Sequence, residues 1–251
     1  MIIIPVSGGK DSQACLKLAL EVNDKNNVIG LFCDTKFEHP ETYSHIEKMK
    51  EIYGVEIIKI NSGSVYEQVI KHKRFPGGGA RFCTEELKIW PSKRFYKEFA
   101  EKNGSFEVWY GMRGNESSER SKRYKDKISS ELYLPHDVLK KYPKYLGKMG
   151  VMFRLPIIDW TAPEVFDYLD GEQNILYSQG FDRVGCFPCL ASGDKWKEKA
   201  FSHDAFGIEQ RIIVSELEKK IGRSIFTSKG GELRNNINQD SVFDGCSICA
   251  I

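Results

Sequence analysis

Apolar positions along the first part of the chain follow two alternating rhythms. Residues 2–6 (Ile-Ile-Ile-Pro-Val) form a short unbroken apolar run, after which Cys15, Leu18, Ala19 and Val22 recur at three- and four-residue spacing. A short continuous run bounded by polar residues suits a strand covered on both faces, and the second spacing suits one face of a helix. The chain therefore reads strand, tight loop, helix. Pro5 has no N–H for a ladder and is placed at the strand's end. Residues 28–33 repeat the run and end in Asp34-Thr35; Pro40-Glu41 then opens a helical pattern that Gly54 closes. Residues 55–60 make a third strand. A helix opened by Pro91 and ended near Gly104 leads into a fourth at 108–111, and 155–158 make a fifth. Thr161 and Glu164 have the spacing of a capping box that starts another helix.

Strands alternating with helices predict an α/β fold, a doubly wound parallel sheet of about five strands with right-handed crossovers. Ligands bind such sheets beyond the carboxyl ends of the strands. Those ends carry Ser7 to Ser12, Asp34-Thr35, Gly111 to Arg120 and Asp159. From about residue 171 the alternation stops. An α/β domain over 1–170 and a cysteine-rich, mostly helical C-terminal region over 171–251, with a helix around 208–221, is the expected division.

Composition narrows the setting. With 251 residues, 41% hydrophobic and 29% charged, the chain is sized for one large domain or a domain with an appendage. No run approaches the ~18 apolar residues of a membrane helix, so no membrane partner is expected. The first residues lack the basic segment and cleavage site of a secretory signal, which predicts a cytoplasmic protein with reduced thiols. A formal charge of +2 leaves any attraction to polyanions local. Lys140, Lys141, Lys144, Lys148 and Arg154, interleaved with Tyr142, Tyr145 and Phe153, suit a DNA or tRNA substrate and suit a solvated lysine face equally well. The histidines form no metal or triad motif and are placed on the surface. A homodimer is left open.

Ser7-Gly8-Gly9-Lys10-Asp11-Ser12 carries the clearest chemistry. Between a strand and a helix, backbone N–H groups and the helix dipole favour an anion, and paired glycines allow close approach. Neither the Walker pattern nor the dinucleotide fingerprint fits this spacing. The loop resembles the pyrophosphate-binding loop of the adenine nucleotide alpha-hydrolase (PP-loop) superfamily. Further motifs resemble its phosphoadenosine phosphosulfate (PAPS) reductase-like branch: Asp34-Thr35, Pro40-Glu41-Thr42, Arg81-Phe82-Cys83-Thr84 with Leu87-Lys88 and Pro91, Gly111-Met112-Arg113 with Glu116-Ser117 and Arg120, Pro156 to Trp160, and Gly185-Cys186 with Cys189.

The resemblance implies a HUP-like fold with ATP at strands 1 and 2. Ser7, Gly8, Gly9, Lys10, Asp11, Ser12, Asp34, Arg81, Lys88, Gly111, Arg113 and Glu116 are the implied nucleotide contacts. Lys10, Asp11, Arg113 and Arg120 are the implied catalytic set: Lys10 neutralises phosphate, Asp11 holds Mg²⁺ directly or through water, and Arg113 and Arg120 bind a second anion. Gly77-Gly78-Gly79 reads as a mobile element over the nucleotide. Reductases of this branch carry a degenerate loop and a Glu-Cys-Gly-apolar-His tail, whereas this chain keeps SGGKDS and ends in two cysteines without histidine. The expected activity is therefore ATP-dependent adenylation serving thiolation, as in relatives acting on DNA or tRNA, with sulfide or a sulfur donor protein as partner. A PAPS or adenylyl-sulfate reductase and a non-catalytic nucleotide-binding module are the alternatives.

Of seven cysteines, Cys15 and Cys33 read as core. The pairs Cys186/Cys189 and Cys246/Cys249 have the CxxC spacing of metal ligands, and zinc and iron–sulfur both fit. The resemblance favours a [4Fe-4S] cluster on Cys83, Cys186 and Cys189, completed by Cys246, Cys249 or an outside group, although Phe82 stands where cluster-bearing reductases place a second adjacent cysteine. Structural zinc, or a redox dithiol at Cys246/Cys249, is the other reading.

Overall fold

A computed structural model of the chain describes residues 1–77 and 81–226. Five parallel strands, β1 (Ile2–Val6), β2 (Val28–Asp34), β3 (Ile57–Asn61), β4 (Phe106–Trp109) and β5 (Val151–Arg154), form one sheet in the order β3-β2-β1-β4-β5. The sheet is thus the doubly wound parallel α/β architecture, consistent with a HUP-like fold, and its strand order reverses between β1 and β4. That reversal is the topological switch point at which such sheets bind ligands. Every residue of β1 is buried, as expected for the central strand.

Pro5 lies within β1, opposite Leu31, and not at the strand's end. Pairing with β4 covers only Ile2 and Ile3, so the ladder on that side has stopped before the residue that cannot donate. Strand β5 lies four residues earlier than the expected 155–158. Pro156 blocks continuation, and the chain turns back with the Ile158 and Trp160 N–H groups donating to the carbonyls of Leu155 and Ile157. Strand β4 also begins and ends earlier than expected.

Helix α1 (Lys10–Val22) packs Cys15, Leu16 and Ala19, each fully buried, onto one face of the sheet. Helix α2 (Pro40–Tyr53) begins at its proline and ends at Gly54 in the left-handed conformation, φ 58°, as its caps predict. Helix α3 (Val65–His72) follows β3 behind a Ser64–Glu67 capping box. The helix expected to open at Pro91 starts at Phe82 instead: Phe82–Thr84, a π-helical turn Glu85–Ile89 and Trp90–Asn103 run end to end. The Trp90 N–H reaches back five residues to Glu85, and this wider turn accommodates the proline that follows it. It also places Lys88 inward, with only 7% of its surface exposed.

The Thr161–Glu164 capping box is formed and starts the helix Ala162–Leu169. Beyond it, Leu190, Phe201, Val214 and Leu217 share one apolar cluster with Phe37, Val65, Val69, Phe82 and Leu87. Later residues are thereby carried back to the carboxyl edge of the sheet. No helix among the described residues is long and apolar enough to cross a membrane.

Two surface expectations change. His39 and His45 are buried, His39 against Asp204 and His45 against Gln13, each at 2.8 Å. In the basic stretch, Tyr142 and Phe153 belong to the core. They are unavailable to stack on bases, which leaves exposed lysines and Tyr145.

Candidate nucleotide-binding site

The loop after β1 is set by contacts that only its own residues permit. Gly8 has φ +75°, and a β-carbon there would lie 2.5 Å from Cγ2 of Thr42. Ser12 Oγ accepts the Ser7 N–H at 3.1 Å and donates to the Gly9 carbonyl at 2.9 Å, which closes the turn into α1. Gly111, just past β4, lies against this turn: a β-carbon would meet the Asp11 carbonyl oxygen at 2.3 Å. The ends of the two central strands therefore touch backbone to backbone.

That contact delivers Arg113 to Asp11. Arg113 Nε donates to Asp11 Oδ1 at 2.6 Å, and Lys10 Nζ reaches the two oxygens of the same carboxylate at 2.9 and 3.0 Å. Lys10 and Arg113 are 5% and 4% exposed, so two buried cations share one acid. Burial pulls the Lys10 ammonium below its ordinary value; Asp11 opposes the shift and Arg113 adds to it. Asn115 fixes the far side of Arg113 at 2.5 Å. Arg120, fully buried, pairs with Glu116, which Arg183 approaches at 3.5 Å from the other side. Burial lowers the Arg120 value against the pull of Glu116.

A cavity of about 410 Å³ has Ser7, Gly9, Lys10, Asp11, Ser12, Arg113 and Glu116 in its walls, whereas Arg120, expected beside Arg113, is fully buried and not part of them. Gly8 and Gly111 shape the backbone beneath it. The remaining wall comes from Asn115, inside the expected 111–120 segment, from Thr161 to Pro163, expected only as a helix start, and from Tyr177 and Asp182 to Val184, which the sequence does not single out. Tyr177 and Arg183 arrive from beyond the regular alternation, where only the neighbouring CxxC motif gave a signal.

Asp34, Arg81 and Lys88 lie apart from this lining. Asp34 ends β2 and accepts from Tyr43 Oη at 2.7 Å and from the Lys36 N–H at 2.8 Å, with Lys59 3.0 Å away. Burial alone would raise its carboxyl, but these donors bring it below the usual range. Arg81 caps the helix that begins at Phe82. Lys88 faces a second cluster, in which the start of the CxxC pairs with β2's exit: an antiparallel bridge joins Glu38 to Cys186, and the Phe187 N–H donates to the Phe37 carbonyl at 2.7 Å. Cys186 Sγ lies 3.3 Å from Thr35 Oγ1 and 3.8 Å from a Glu38 oxygen.

Cys83, Cys186 and Cys189 are close enough to feel one another's charge, and burial raises the thiols of Cys83 and Cys186. Burial lowers Lys88, but Cys186, Glu38, Cys33 and Cys83 together raise it further. Among the described residues no group of three or more His, Cys, Asp or Glu side chains stands close enough to hold a single metal ion. Cys246 and Cys249, like Gly78 and Gly79, lie outside the described residues. Cys15 and Cys33 are core residues, and burial pushes Cys33 up to about 11.

A glycine loop at the switch point of a doubly wound sheet, with two buried cations on one carboxylate, fits an α/β protein of the PP-loop type. Residues 1–192 match the phosphoadenosine phosphosulfate reductase domain, and the chain belongs to that family. An uncharacterized protein of Methanocaldococcus jannaschii is 33% identical over 76% of this chain and 36% of its own length, and a second from that organism is 27% identical over 74% and 40%. The chain thus spans well under half of these relatives. The adenosine 5'-phosphosulfate reductase of Pseudomonas aeruginosa is 27% identical over 85% of this chain and 78% of the relative. Among solved structures, a PAPS reductase from Candida auris gives a TM-score of 0.47 at 18% identity, covering 74% of this chain and 81% of that one. The U34-tRNA thiolase of Methanococcus maripaludis with its [4Fe-4S] cluster gives 0.46 at 17%, covering 91% and 74%.

Proposed function

We propose that the chain binds ATP in the Ser7–Ser12 cavity, transfers AMP to a substrate oxygen with release of pyrophosphate, and serves a sulfur-transfer (thiolation) reaction. The observation that carries this reading is the pair of buried cations, Lys10 and Arg113, held on the single carboxylate of Asp11 beside the loop. Anionic phosphoryl oxygens would take over both cations, with Ser7, Ser12 and the loop backbone as further donors. Charge that develops on departing pyrophosphate would then be met by donors already in place. Asp11, relieved of its partners, is the residue to hold Mg²⁺, which supplies further neutralisation of the pyrophosphate. Arg120, fully buried on Glu116 and outside the cavity wall, would reach a second anion only by leaving that pair.

Residues 1–170 would act as the nucleotide-binding domain and 171–251 as the cysteine-rich partner region. Cys83, Cys186 and Cys189, soft donors gathered from two distant segments, would hold a [4Fe-4S] cluster with Cys246 or Cys249 as fourth ligand. When bound, such a cluster supplies a site for sulfide. Sulfide or a donor protein would be the sulfur source, and the exposed Lys140, Lys144 and Lys148 would meet the phosphates of a DNA or tRNA acceptor in a cytoplasmic setting.

The similarity to the Pseudomonas enzyme over most of the chain favours a second reading, reduction of a sulfonucleotide. Titration with ATP, pyrophosphate and PAPS separates the two. Adenylation predicts that ATP and pyrophosphate bind competitively and that Lys10→Ala weakens both. Binding of PAPS with indifference to ATP and pyrophosphate establishes the reductase reading.

A further inference from the structure

The first N–H of α1 does not face an empty cavity. It donates to the phenolic oxygen of Tyr177 at 3.0 Å, and a β-carbon at Gly9 would lie 3.3 Å from that same oxygen. Tyr177 lines the loop cavity and comes from a segment far along the chain. It is held there firmly. Five residues upstream, Glu172 accepts from Tyr53 Oη at 2.8 Å and pairs with Lys17 at 3.3 Å, and its carbonyl accepts from Gln13 at 3.0 Å. The ring also packs edge-on against Phe166 at 5.3 Å. Burial, and next the Asp11 carboxylate, raise the phenol, so the hydroxyl keeps its proton at ordinary pH.

A hydroxyl that accepts from a helix N–H still has its own proton to give. With the Lys10 N–H on one lone pair, the hydroxyl's own proton remains available to whatever occupies the cavity that Tyr177 lines. We infer that Tyr177 is a phosphate-binding residue: its hydroxyl takes the first N–H of α1 and donates its own hydrogen to a phosphoryl oxygen on the loop, extending the helix's anion site by one hydrogen bond. This rests on the reading of the loop as the seat of the outer phosphates of ATP. It adds a contact from the C-terminal region, so that the loop is complete only when residues 172–177 are docked on α1 and α2.

The test uses the full-length chain and Tyr177→Phe, which keeps the ring and its contact with Phe166. Calorimetric titrations with pyrophosphate, ATP and AMP are compared. The expected result is a loss of about tenfold in affinity for pyrophosphate and ATP, the scale of one hydrogen bond to a charged group, with AMP affinity unchanged and a cooperative thermal transition retained, lowered only by the hydrogen bond lost to the Lys10 N–H. Equal affinity for pyrophosphate in both proteins would overturn the inference, and so would tighter binding by the variant, which would make the hydroxyl a plug. Wild-type protein that binds neither ATP nor pyrophosphate would overturn the ATP reading itself, and this inference with it.

Discussion

The two candidate clusters at the carboxyl edge of the sheet are built differently. At the Ser7–Ser12 loop the charges are already paired: Lys10 and the more distant Arg113 both sit on Asp11 at hydrogen-bond distance, and the close approaches at Gly8 and Gly111 fix the backbone beneath them. At the cysteine cluster, Cys83 comes from a helix and Cys186 and Cys189 from a loop more than a hundred residues later, with buried Lys88 and Glu38 beside the raised thiols of Cys83 and Cys186. The first is formed before a ligand arrives. The second is a set of soft donors, two of them with charged forms that burial opposes and that a soft metal would stabilise. Two sites of such different construction should fail independently, and that separation can be tested.

Lys10→Ala should weaken ATP and pyrophosphate about a hundredfold, the loss of a buried cation with charge-assisted bonds, while iron content is unaffected. Equal affinities by titration would break the comparison. Gly111→Ala should do as much by pushing backbone from backbone, and should lower the thermal midpoint as well. At the other cluster, Cys186→Ser should abolish the brown absorbance near ~400 nm and the roughly four irons expected of an anaerobic preparation, leaving ATP affinity within about twofold. Stoichiometric zinc without iron in the wild type would replace the cluster by a structural ion.

Acid should reveal the next effect. Burial pushes His45, on α2 behind the loop, down to about 4 from 6.5. Between these values the unfolded chain binds more protons than the folded one, so stability is full above about 6.5 and falls as pH drops toward 4. The whole contribution is about 3 kcal/mol at roughly 1.36 kcal/mol per pH unit. Urea unfolding from pH 7.5 to 4.5 should show that decline, and His45→Gln should flatten it; parallel curves would assign the acid sensitivity elsewhere. The smallest effect belongs to Arg183→Ala. Its side chain is 40% exposed and holds Glu116 only at 3.5 Å, so ATP affinity should fall by no more than about threefold.

What the sequence made legible follows the same division. The strand–loop–helix over residues 2–22, the caps of α2 and the Thr161–Glu164 box are readable because each signal is local: a glycine that must take positive φ, a proline at a helix start, a serine or threonine three residues before a glutamate. The start of the helix at Phe82 was not readable, because its first turns have no simple period and a π-helical turn is what lets Pro91 sit inside the run. Strand β5 was placed too late because apolar residues 155–158 look like a strand until Pro156 is weighed. Burial of His39 and His45 depends on Asp204 and Gln13, partners that no spacing links to them. Tyr177 reaches the cavity through contacts that no spacing announces: Glu172 on Tyr53, Lys17 and Gln13, and the Tyr177 ring on Phe166.

A crystal structure with ATP and Mg²⁺ bound is the decisive experiment. It should show the β- and γ-phosphates on the Ser7–Ser12 loop, within hydrogen-bond distance of Lys10 Nζ and the Arg113 guanidinium, with Asp11 turned from those cations to the metal. Nucleotide bound elsewhere, with the Lys10–Asp11–Arg113 contacts intact and the loop empty, would contradict it.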